Sequence, residues 1–496
     1  MTTALIIGAG FGGLALALRL QSAGIATTVV EGRDRPGGRA YVWRRDGFTF
    51  DAGPTVITDP DCLRELWELS GSSIERDVEL LPVSPFYRLL WNDGSQFDYS
   101  NDEAALQAEI ARFEQKDVAG YARFLDYSES VYRTGYVELG AKPFLRMGDM
   151  ARAAPALVRR RAWRSVYAAV SAHIANEKLR QAFSFHTLLV GGNPMRTSSI
   201  YALIHSLEKR GGVWFAKGGT NALVDAMVRH FERLGGKLIL SDPVNHIAST
   251  GRVVTGVTTR SGRQLKADLV ASNGDLVHSY GLIADSRYAA AKSRALRRKR
   301  FSPSLFVLHL GLRGSLPQVA HHSILFSDRY KPLLDDIYNR GRVPGDPSLY
   351  LHHPSATDAS LAPPGCSTLY ALAPVPNLGK AHPDWKTFGM SYRETVLDRI
   401  EQTLIPDLRK RIATIFHYSP ADFATDLGAH LGNAFSLEPL LTQSAYFRAH
   451  NRDDHFSNLY FVGAGTHPGA GIPGVVASAK ATASLILAGY RQRVSS

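Results

Sequence analysis

A glycine-rich turn near the start of the chain is the first pattern that could do chemistry. Gly8, Gly10 and Gly13 have Gly-x-Gly-x-x-Gly spacing, between a short apolar run and a stretch with helical character. In a strand–turn–helix unit, the first glycine permits the tight turn and the second lets a diphosphate approach the backbone. The third lets helix and strand pack closely. This predicts a dinucleotide site, although a β-α-β unit without a ligand would show the same glycines.

An acidic residue stands where the second strand of this unit should end. Glu31 directly follows the apolar run Thr27–Val30. A carboxylate there can accept hydrogen bonds from both ribose hydroxyls of an adenosine. It would repel a 2′-phosphate, so the pattern disfavours NADP.

A second glycine pair distinguishes FAD from NAD. Gly37 and Gly38 let another stretch of backbone approach the diphosphate, and Arg39 can neutralise it. Residues 47–54, which include Gly53, then return toward the same region. Together these segments resemble the extended FAD fingerprint of amine-oxidase-like flavoenzymes, and FAD is the expected cofactor.

A Gly/Pro-rich loop near the C-terminus carries a more specific pattern. Residues 458–475 include Gly463, Gly465, Gly474 and Val475. Such a loop is rigid enough to lie against a flat ring, and a helix that opens at Gly474 would direct its positive end at the flavin pyrimidine edge. The loop resembles the carotenoid desaturase signature, in which Gly-Ala-Gly-Thr replaces a version with an acidic residue.

The resemblance covers nearly the whole chain and is strongest to the bacterial phytoene desaturases of the lycopene-forming type. It implies FAD-dependent desaturation of a C40 isoprenoid hydrocarbon, with phytoene or a related apolar isoprenoid as substrate and a quinone or oxygen as electron acceptor. Two rival interpretations are an FAD-dependent amine oxidase and a flavin-bearing membrane scaffold without turnover. The motifs of the resemblance lie at residues 51–60, 183–186, 191–194 and 432–439.

The expected architecture is α/β, a Rossmann-like FAD-binding domain interleaved with an α+β region for substrate and membrane. Residues 1–85, 213–290 and 440–496 are assigned to a discontinuous FAD-binding domain. Residues 86–212 and 291–439 are assigned to the substrate-binding and membrane-associating region. In the resembled fold a backbone edge at Val244 pairs with adenine, although an ordinary strand valine explains this residue equally well.

Desaturation also releases a proton, and the sequence offers weak candidates for its acceptor. Asp149 and Arg152 are three residues apart and share a face if their segment is helical. A surface ion pair is the alternative for these two residues. Glu438 is a second candidate and could equally be structural.

Composition and net charge limit the kinds of partner and metal ion that the chain could bind. The chain of 496 residues has a formal net charge of +12, which permits an anionic partner, but it shows no nucleic-acid-binding motif. Its two cysteines form no CxxC pair, which suits a reducing cytoplasm. Adjacent histidines such as His321-His322 and His352-His353 should point apart, so no metal site is expected.

A water-insoluble substrate would require contact with a membrane surface. The segment Ala156–Ile174 follows Pro155 and places Trp163, Val166 and Val170 on one helical stripe, with an arginine collar at its start. Tryptophan and arginine suit a lipid interface. We therefore expect a cytoplasmic enzyme that associates peripherally with the cell membrane through this helix; a stripe packed into the core is the alternative.

Overall fold

The computed structural model describes residues 2–494, with side chains through residue 489. The strands are β1 (Thr3–Ile7), β2 (Ala26–Val30), β3 (Val42–Arg45), β4 (Phe48–Asp51), β5 (Leu80–Pro82), β6 (Tyr87–Leu90), β7 (Gln96–Tyr99), β8 (Trp214–Ala216), β9 (Lys237–Ile239), β10 (Val244–Thr250), β11 (Val253–Thr259), β12 (Gln264–Lys266), β13 (Leu269–Ser272), β14 (Ser304–Arg313), β15 (His322–Leu325), β16 (Leu349–His352), β17 (Cys366–Val375), β18 (Ile412–Tyr418) and β19 (Leu459–Phe461). The α-helices are α1 (Phe11–Ser22), α2 (Pro60–Glu68), α3 (Glu103–Phe113), α4 (Asp117–Tyr132), α5 (Met147–Arg159), α6 (Val166–Ser171), α7 (Glu177–Ser184), α8 (Leu203–Gly211), α9 (Thr220–Arg233), α10 (Leu276–Gly281), α11 (Arg287–Arg297), α12 (Tyr330–Asp335), α13 (Trp385–Thr403), α14 (Leu408–Arg411), α15 (Pro420–Leu427) and α16 (Ile472–Val494).

A parallel five-stranded sheet in the order β19-β13-β1-β2-β9 forms the first layer. Ile7, the last residue of the central strand β1, pairs with Val30 on one side and Ser272 on the other. The carboxyl ends of β1, β2 and β13 therefore meet at one edge, where ligands bind in open parallel sheets. This confirms the expected Rossmann-like α/β class.

Helix α1 is the central helix of this layer and packs between α9 and α16. Its residues 11–20 are all buried, which is the pattern of a helix enclosed on every side. The approach to β1 is close enough that a Cβ at Gly13 would overlap the carbonyl oxygen of Gly8. The third glycine of the motif is thus required by backbone packing.

A seven-stranded sheet in the order β18-β14-β17-β16-β15-β6-β7 forms the second layer. Its pairs are antiparallel except β15 with β6. Alternate side chains of β14 point to opposite faces. Phe306 and Leu308 pack in one cluster with α13, whereas Leu305 and Val307 belong to the cluster on the other face, which also includes α4 and α7 residues.

The two sheets are built from different stretches of chain. The strands of the five-stranded sheet fall within residues 1–85, 213–290 and 440–496, and those of the seven-stranded sheet within 86–212 and 291–439. The division of the chain into two regions remains a prediction from the sequence. The strands of the two sheets divide between those regions in the same way.

The prediction of a single helix over Ala156–Ile174 is wrong. Helix α5 ends at Arg159, Arg161 adopts a left-handed backbone (φ 52°), and a new helix, α6, begins at Val166. Val166 and Val170 are buried in the core, so most of the predicted stripe faces the protein interior. Trp163, in the break, is 60% exposed.

Helix α16 contains a segment of membrane-spanning length. Its residues Ile472–Gly489 are long and apolar enough to cross a membrane, by length and composition. However, Val476, Ala479 and Ala483 are buried in the same core cluster as α1. The helix is a core element of the first layer.

Candidate active site

The N-terminal glycine turn lies at the carboxyl end of β1 and forms one wall of a cavity of about 550 Å³. Gly10 precedes α1 and offers no side-chain cap to the first turn of that helix, which also lacks an acidic residue. The amide of Gly37 donates to the carbonyl oxygen of Ala9 (2.8 Å), and a Cβ at Gly38 would lie 3.5 Å from Gly10 Cα. Gly10 and Gly38, which are 28 residues apart in sequence, therefore lie face to face.

Glu31 lies at the end of β2, as predicted, and its carboxylate closes the turn. Oε2 accepts from the amide of Ala9 (2.7 Å) and Oε1 accepts from the amide of Arg33 (2.9 Å). A carboxylate has about four acceptor sites, so capacity remains for hydroxyl donors. Glu31 also lines the cavity, where it is positioned to accept from a ribose.

Arg39 lines the cavity beside this turn. One terminal nitrogen donates to the carbonyl oxygen of Asn433 (3.2 Å), whereas the buried Nε has no hydrogen-bond partner among the described residues. Burial lowers the pKa of Arg39, and Asp275 counteracts part of that shift. A buried cation with a spare donor, an uncapped helix N-terminus and glycines that leave no room for a Cβ fit a bound diphosphate.

A third segment at this edge was missed from the sequence. Asn273 and Asp275 follow β13 and line the cavity. A Cβ on Gly10 would lie 2.9 Å from Asn273 Nδ2, and one on Gly12 would lie 2.7 Å from Asn273 Oδ1. The signal was present as a polar Asn-Gly-Asp run directly after a buried strand.

The C-terminal loop reaches the same cavity. Gly474 and Val475 line it at the N-terminus of α16, together with Gly53 from the segment after β4. A Cβ on Gly474 would lie 2.8 Å from the carbonyl oxygen of Gly469. The positive end of the α16 dipole therefore faces the cavity, and the loop tolerates no added bulk.

Four predicted cofactor residues lie outside the described cavity lining. Gly13 packs against Gly8, Gly463 against Asn273, and Gly465 against Leu276, so these glycines shape the turn and loop from behind. Val244 begins β10 and pairs with Thr259. The roles predicted for these four residues stay predictions, with packing as the observed contribution.

The rest of the cavity wall is apolar. Its lining includes Leu157, Phe185, Leu188, Ile200, Leu305, Ile324, Phe326, Leu334, Tyr350 and Phe435. Apart from Phe326 and Phe435, which lie in loops, these side chains come from α5, from the seven-stranded sheet and from a helical cap that consists of Phe185–Val190, Ser199–Ala202 and α12. One continuous cavity therefore joins a polar nucleotide cleft to a long hydrophobic chamber.

One carboxyl group interrupts this apolar wall and was also missed from the sequence. Glu208, on α8, is fully buried and lines the cavity. Its Oε1 accepts from the Tyr87 hydroxyl (2.7 Å), and His186 Nε2 lies 3.1 Å from Oε2 without the alignment of a hydrogen bond. Burial raises the pKa of Glu208 to about 7.

The predicted acid–base candidates lie elsewhere. Asp149 and Arg152 share a face of α5 and form a 2.8 Å ion pair, with Arg152 80% exposed. The Asp149 carboxylate also accepts from the amides of Leu145 and Arg146, which caps the helix. Neither residue lines the cavity, and Glu438 pairs with Arg300 outside it. The geometry therefore supports the surface ion-pair alternative for Asp149 and Arg152.

Three histidines cluster where the sequence analysis expected side chains to point apart. His321, His322 and His352 are buried, and one ring nitrogen of each lies within 4.8 Å of the others. Strand pairing between β15 and β16 sets His322 opposite His352, an arrangement that adjacency in sequence could not show. The Tyr350 hydroxyl lies 2.8 Å from His322 Nδ1. The expectation of no metal site stays a prediction.

The comparisons with known proteins agree with this geometry. The chain belongs to the flavin-containing amine oxidoreductases, whose family pattern matches residues 11–487. It is an FAD-dependent oxidoreductase, as predicted. An oxidoreductase structure from Methanosarcina mazei shares the fold, with a TM-score of 0.66 and 19% identity over 96% of this chain and 99% of that one.

More similar relatives narrow the group within this family. The chain is 59% identical to a lycopene-forming phytoene desaturase of a Paracoccus species, over 98% of this chain and 97% of the relative. It is 54% identical to the lycopene-forming phytoene desaturase of Pantoea ananas, over 97% and 98%. The resemblance that the motifs indicated is confirmed.

Glu31 provides a first test of the cofactor site. Glu31→Gln keeps the size of the side chain but removes its charge, so FAD affinity should fall by about 1–3 kcal/mol. Flavin fluorescence during titration of apoprotein measures this. Glu75→Gln, at an exposed ion pair, is the control. Unchanged affinity in Glu31→Gln would remove Glu31 from the ribose site.

Gly474 tests the approach of α16. In Gly474→Val the branched side chain would press on the Gly469 carbonyl and displace the helix start. We therefore expect a large loss of turnover and a comparatively small change in the thermal unfolding temperature. Gly489→Val on the same helix is the matched control, because a Cβ there meets nothing within 4 Å. Turnover and thermal unfolding of both variants are compared. Normal turnover in Gly474→Val would contradict the proposed contact.

Proposed function

We propose that this chain is a phytoene desaturase that converts phytoene to lycopene in several steps of carotenoid biosynthesis. The observation that carries the proposal is the single cavity in which an FAD-binding cleft opens into an apolar chamber. A hydrocarbon without polar atoms can be bound only by apolar burial and shape. The names of the two relatives, both lycopene-forming phytoene desaturases, support the same reaction.

Different residues of the chain would bind the cofactor and the hydrocarbon. Glu31 would hold the adenosine ribose, and Arg39 with the two glycine turns would hold the diphosphate. The N-terminus of α16 favours negative charge at the ring edge near Gly474. When bound, FAD supplies the capacity to accept a hydride from a C–H bond. The apolar wall orients the hydrocarbon, and its burial excludes water from the reaction.

An amine oxidase is the second candidate, and the similarity in sequence to the two desaturases argues against it. An ammonium substrate requires anionic or aromatic partners at its binding position. The chamber is lined by aliphatic and aromatic side chains, with Glu208 as its single carboxylate among the lining residues beyond the nucleotide end, so the wall by itself is compatible with either substrate. The similarity in sequence instead favours the desaturases over amine-oxidising relatives.

We also propose that the enzyme docks on a membrane through the outer face of α5, in the cytoplasm. Met147 and Val158 on this helix are 56% and 59% exposed, and the exposed Trp163 lies in the break between α5 and α6. The inner face of the same helix contributes Met150 and Leu157 to the cavity. A surface that touches lipid on one side and the chamber on the other would give a lipid-dissolved substrate a short route.

Basic residues surround this exposed apolar patch. Arginines near an anionic membrane surface each contribute on the order of 1 kcal/mol of binding. The patch carries five exposed arginines: Arg146, Arg152, Arg159, Arg161 and Arg164.

Electrons from the reduced cofactor would pass to a quinone or to oxygen, and a docked enzyme has access to a quinone dissolved in the bilayer.

The reaction is tested by expression in cells that accumulate phytoene. We expect lycopene in pigment extracts, and purified protein with phytoene under anaerobic conditions should lose the absorbance of its oxidised flavin. An empty vector gives the background. Protein that leaves phytoene unchanged, but releases peroxide with amines, would favour the amine oxidase instead.

Docking is tested by flotation with liposomes that contain anionic lipid. A variant with Met147, Val158 and Trp163 changed to Gln should float at least about tenfold less than the wild type, because apolar burial is lost. The matched control changes Met390 and Val253, which are 46% and 47% exposed elsewhere, to Gln.

Salt separates the electrostatic contribution, since charge attraction at a surface is screened. Wild-type flotation should fall at high salt, and a variant with the patch arginines changed to Gln should lose this dependence. Equal flotation of wild type and both patch variants would remove α5 from the docking surface.

A further inference from the structure

We propose that Glu208 is the group that accepts the proton released from the hydrocarbon during desaturation. The inference rests on the proposed desaturase function and adds the identity of the base. No motif pointed to this residue: it lies within α8, between Leu207 and Lys209, and reaches the cavity only through the fold.

The cavity contains two groups of ionisable side chains, and those at the nucleotide end are already engaged. Glu31 accepts from two backbone amides. Asp275 caps α10 and accepts from Asn433. Asp426 is 42% exposed and lies 3.8 Å from Arg33. These carboxylates hold the cleft together and lie among polar neighbours.

In the apolar chamber, two kinds of side chain are unsuited to accept a proton. Burial raises the pKa of each lining tyrosine, so every one keeps its proton at neutral pH; these are Tyr136, Tyr201, Tyr330, Tyr338, Tyr350 and Tyr370. His467 is neutral, but burial lowers its pKa to about 4. His467 Nε2 also lies 2.8 Å from the carbonyl oxygen of Leu139. Because its pKa is low, His467 is a weaker proton acceptor than a group with a pKa near 7.

Glu208 is that stronger base. Burial raises its pKa to about 7, so a large fraction is ionised at neutral pH and still binds a proton far more tightly than His467 does. A general base is most effective when its pKa lies near the operating pH. Its Oε1 is held by Tyr87, and Oε2 has no hydrogen-bond partner among the residues described.

The groups around Glu208 come from every element that packs against it, and they are neutral at pH 7. Burial lowers the pKa of both neighbouring histidines to about 3, and it raises the pKa of the tyrosines. The set consists of Tyr87 on β6, Tyr99 on β7, Tyr121 on α4, His186 in the 3₁₀ segment Phe185–Val190, His205 on α8 itself and Tyr350 on β16. The carboxylate is thus the one charge of this cluster.

The step balances without a further reactant. One C–H bond of the substrate gives its hydrogen and its electron pair to FAD, which is reduced. The hydrogen on the adjacent carbon leaves as a proton to Glu208 Oε2, and the electron pair of that second C–H bond becomes the new C=C bond. The protonated carboxyl is neutral, which suits its buried site, and His186 Nε2 at 3.1 Å can then accept its hydrogen bond.

The experiment compares anaerobic flavin bleaching by phytoene in liposomes, as a function of pH, for FAD-loaded wild type and Glu208→Gln. The wild-type rate should rise with pH and level off above about pH 7. Glu208→Gln should be slower by about 100-fold or more and should lack this rise. Glu208→Asp should restore part of the rate and the pH dependence, since it restores a carboxylate.

Glu129→Gln is the matched control. Glu129 pairs with Arg210, on the same helix as Glu208, but does not line the cavity. This control should keep the wild-type rate and profile. If Glu208→Gln also keeps both, the proposal is overturned. A wild type that is not bleached at any pH would instead overturn the desaturase function.

A second measurement does not depend on turnover. Folding raises the pKa of Glu208 from 4.5 to about 7, so the folded state binds this proton more tightly than the unfolded state. The resulting stabilisation is complete below pH 4.5 and is lost as the pH rises to about 7. The Tm of wild-type apoprotein should therefore fall across this window relative to Glu208→Gln. Parallel Tm curves would show that Glu208 does not titrate there and would overturn the assignment.

Discussion

The close backbone packing around the glycine turn is the constraint on which the rest of the site depends. A Cβ on Gly13 would overlap the Gly8 carbonyl, and Asn273 fills the space that side chains at Gly10 and Gly12 would need. These contacts bring the ends of β1 and β13 and the loop at Gly37 to one point. Because α1 begins at this point without a side-chain cap, the N–H groups of its first turn are available to a diphosphate in the cavity.

The same cavity must satisfy two opposed requirements. At one end it holds an anionic cofactor, and there a buried arginine, a carboxylate with spare acceptor sites and a helix N-terminus are grouped. At the other end it must receive a hydrocarbon, and the wall consists of aliphatic and aromatic side chains from the seven-stranded sheet and the helical cap. A charged group in that wall is costly to bury unless it is paired or hydrogen-bonded, and the carboxylate of Glu208 has a hydrogen bond from Tyr87 alone among the described residues. This contrast is why the single carboxylate at Glu208 merits a chemical role.

Helix α5 connects the chamber with the outside. Its inner face supplies Leu157 to the cavity, and its outer face exposes Val158, the next residue. Successive helical residues point about 100° apart, so one short helix can serve both faces. Pairing of Asp149 with Arg152 and the helix cap formed by Asp149 stabilise this element. The two residues singled out from the sequence for catalysis thus support the structure of a helix that lines the cavity with some side chains and exposes others.

The sequence alone determined the nucleotide end, because that chemistry is local. Glycines at Gly8, Gly10 and Gly13, and an acid at the end of β2, lie within one β-α-β unit whose geometry follows from spacing. The chamber could not be derived in this way. Glu208, His186 and Tyr87 come from three separate elements, and only strand pairing and helix packing bring them together. Burial then decides their ionisation, since the pKa of a carboxyl depends on surroundings that residue order does not specify.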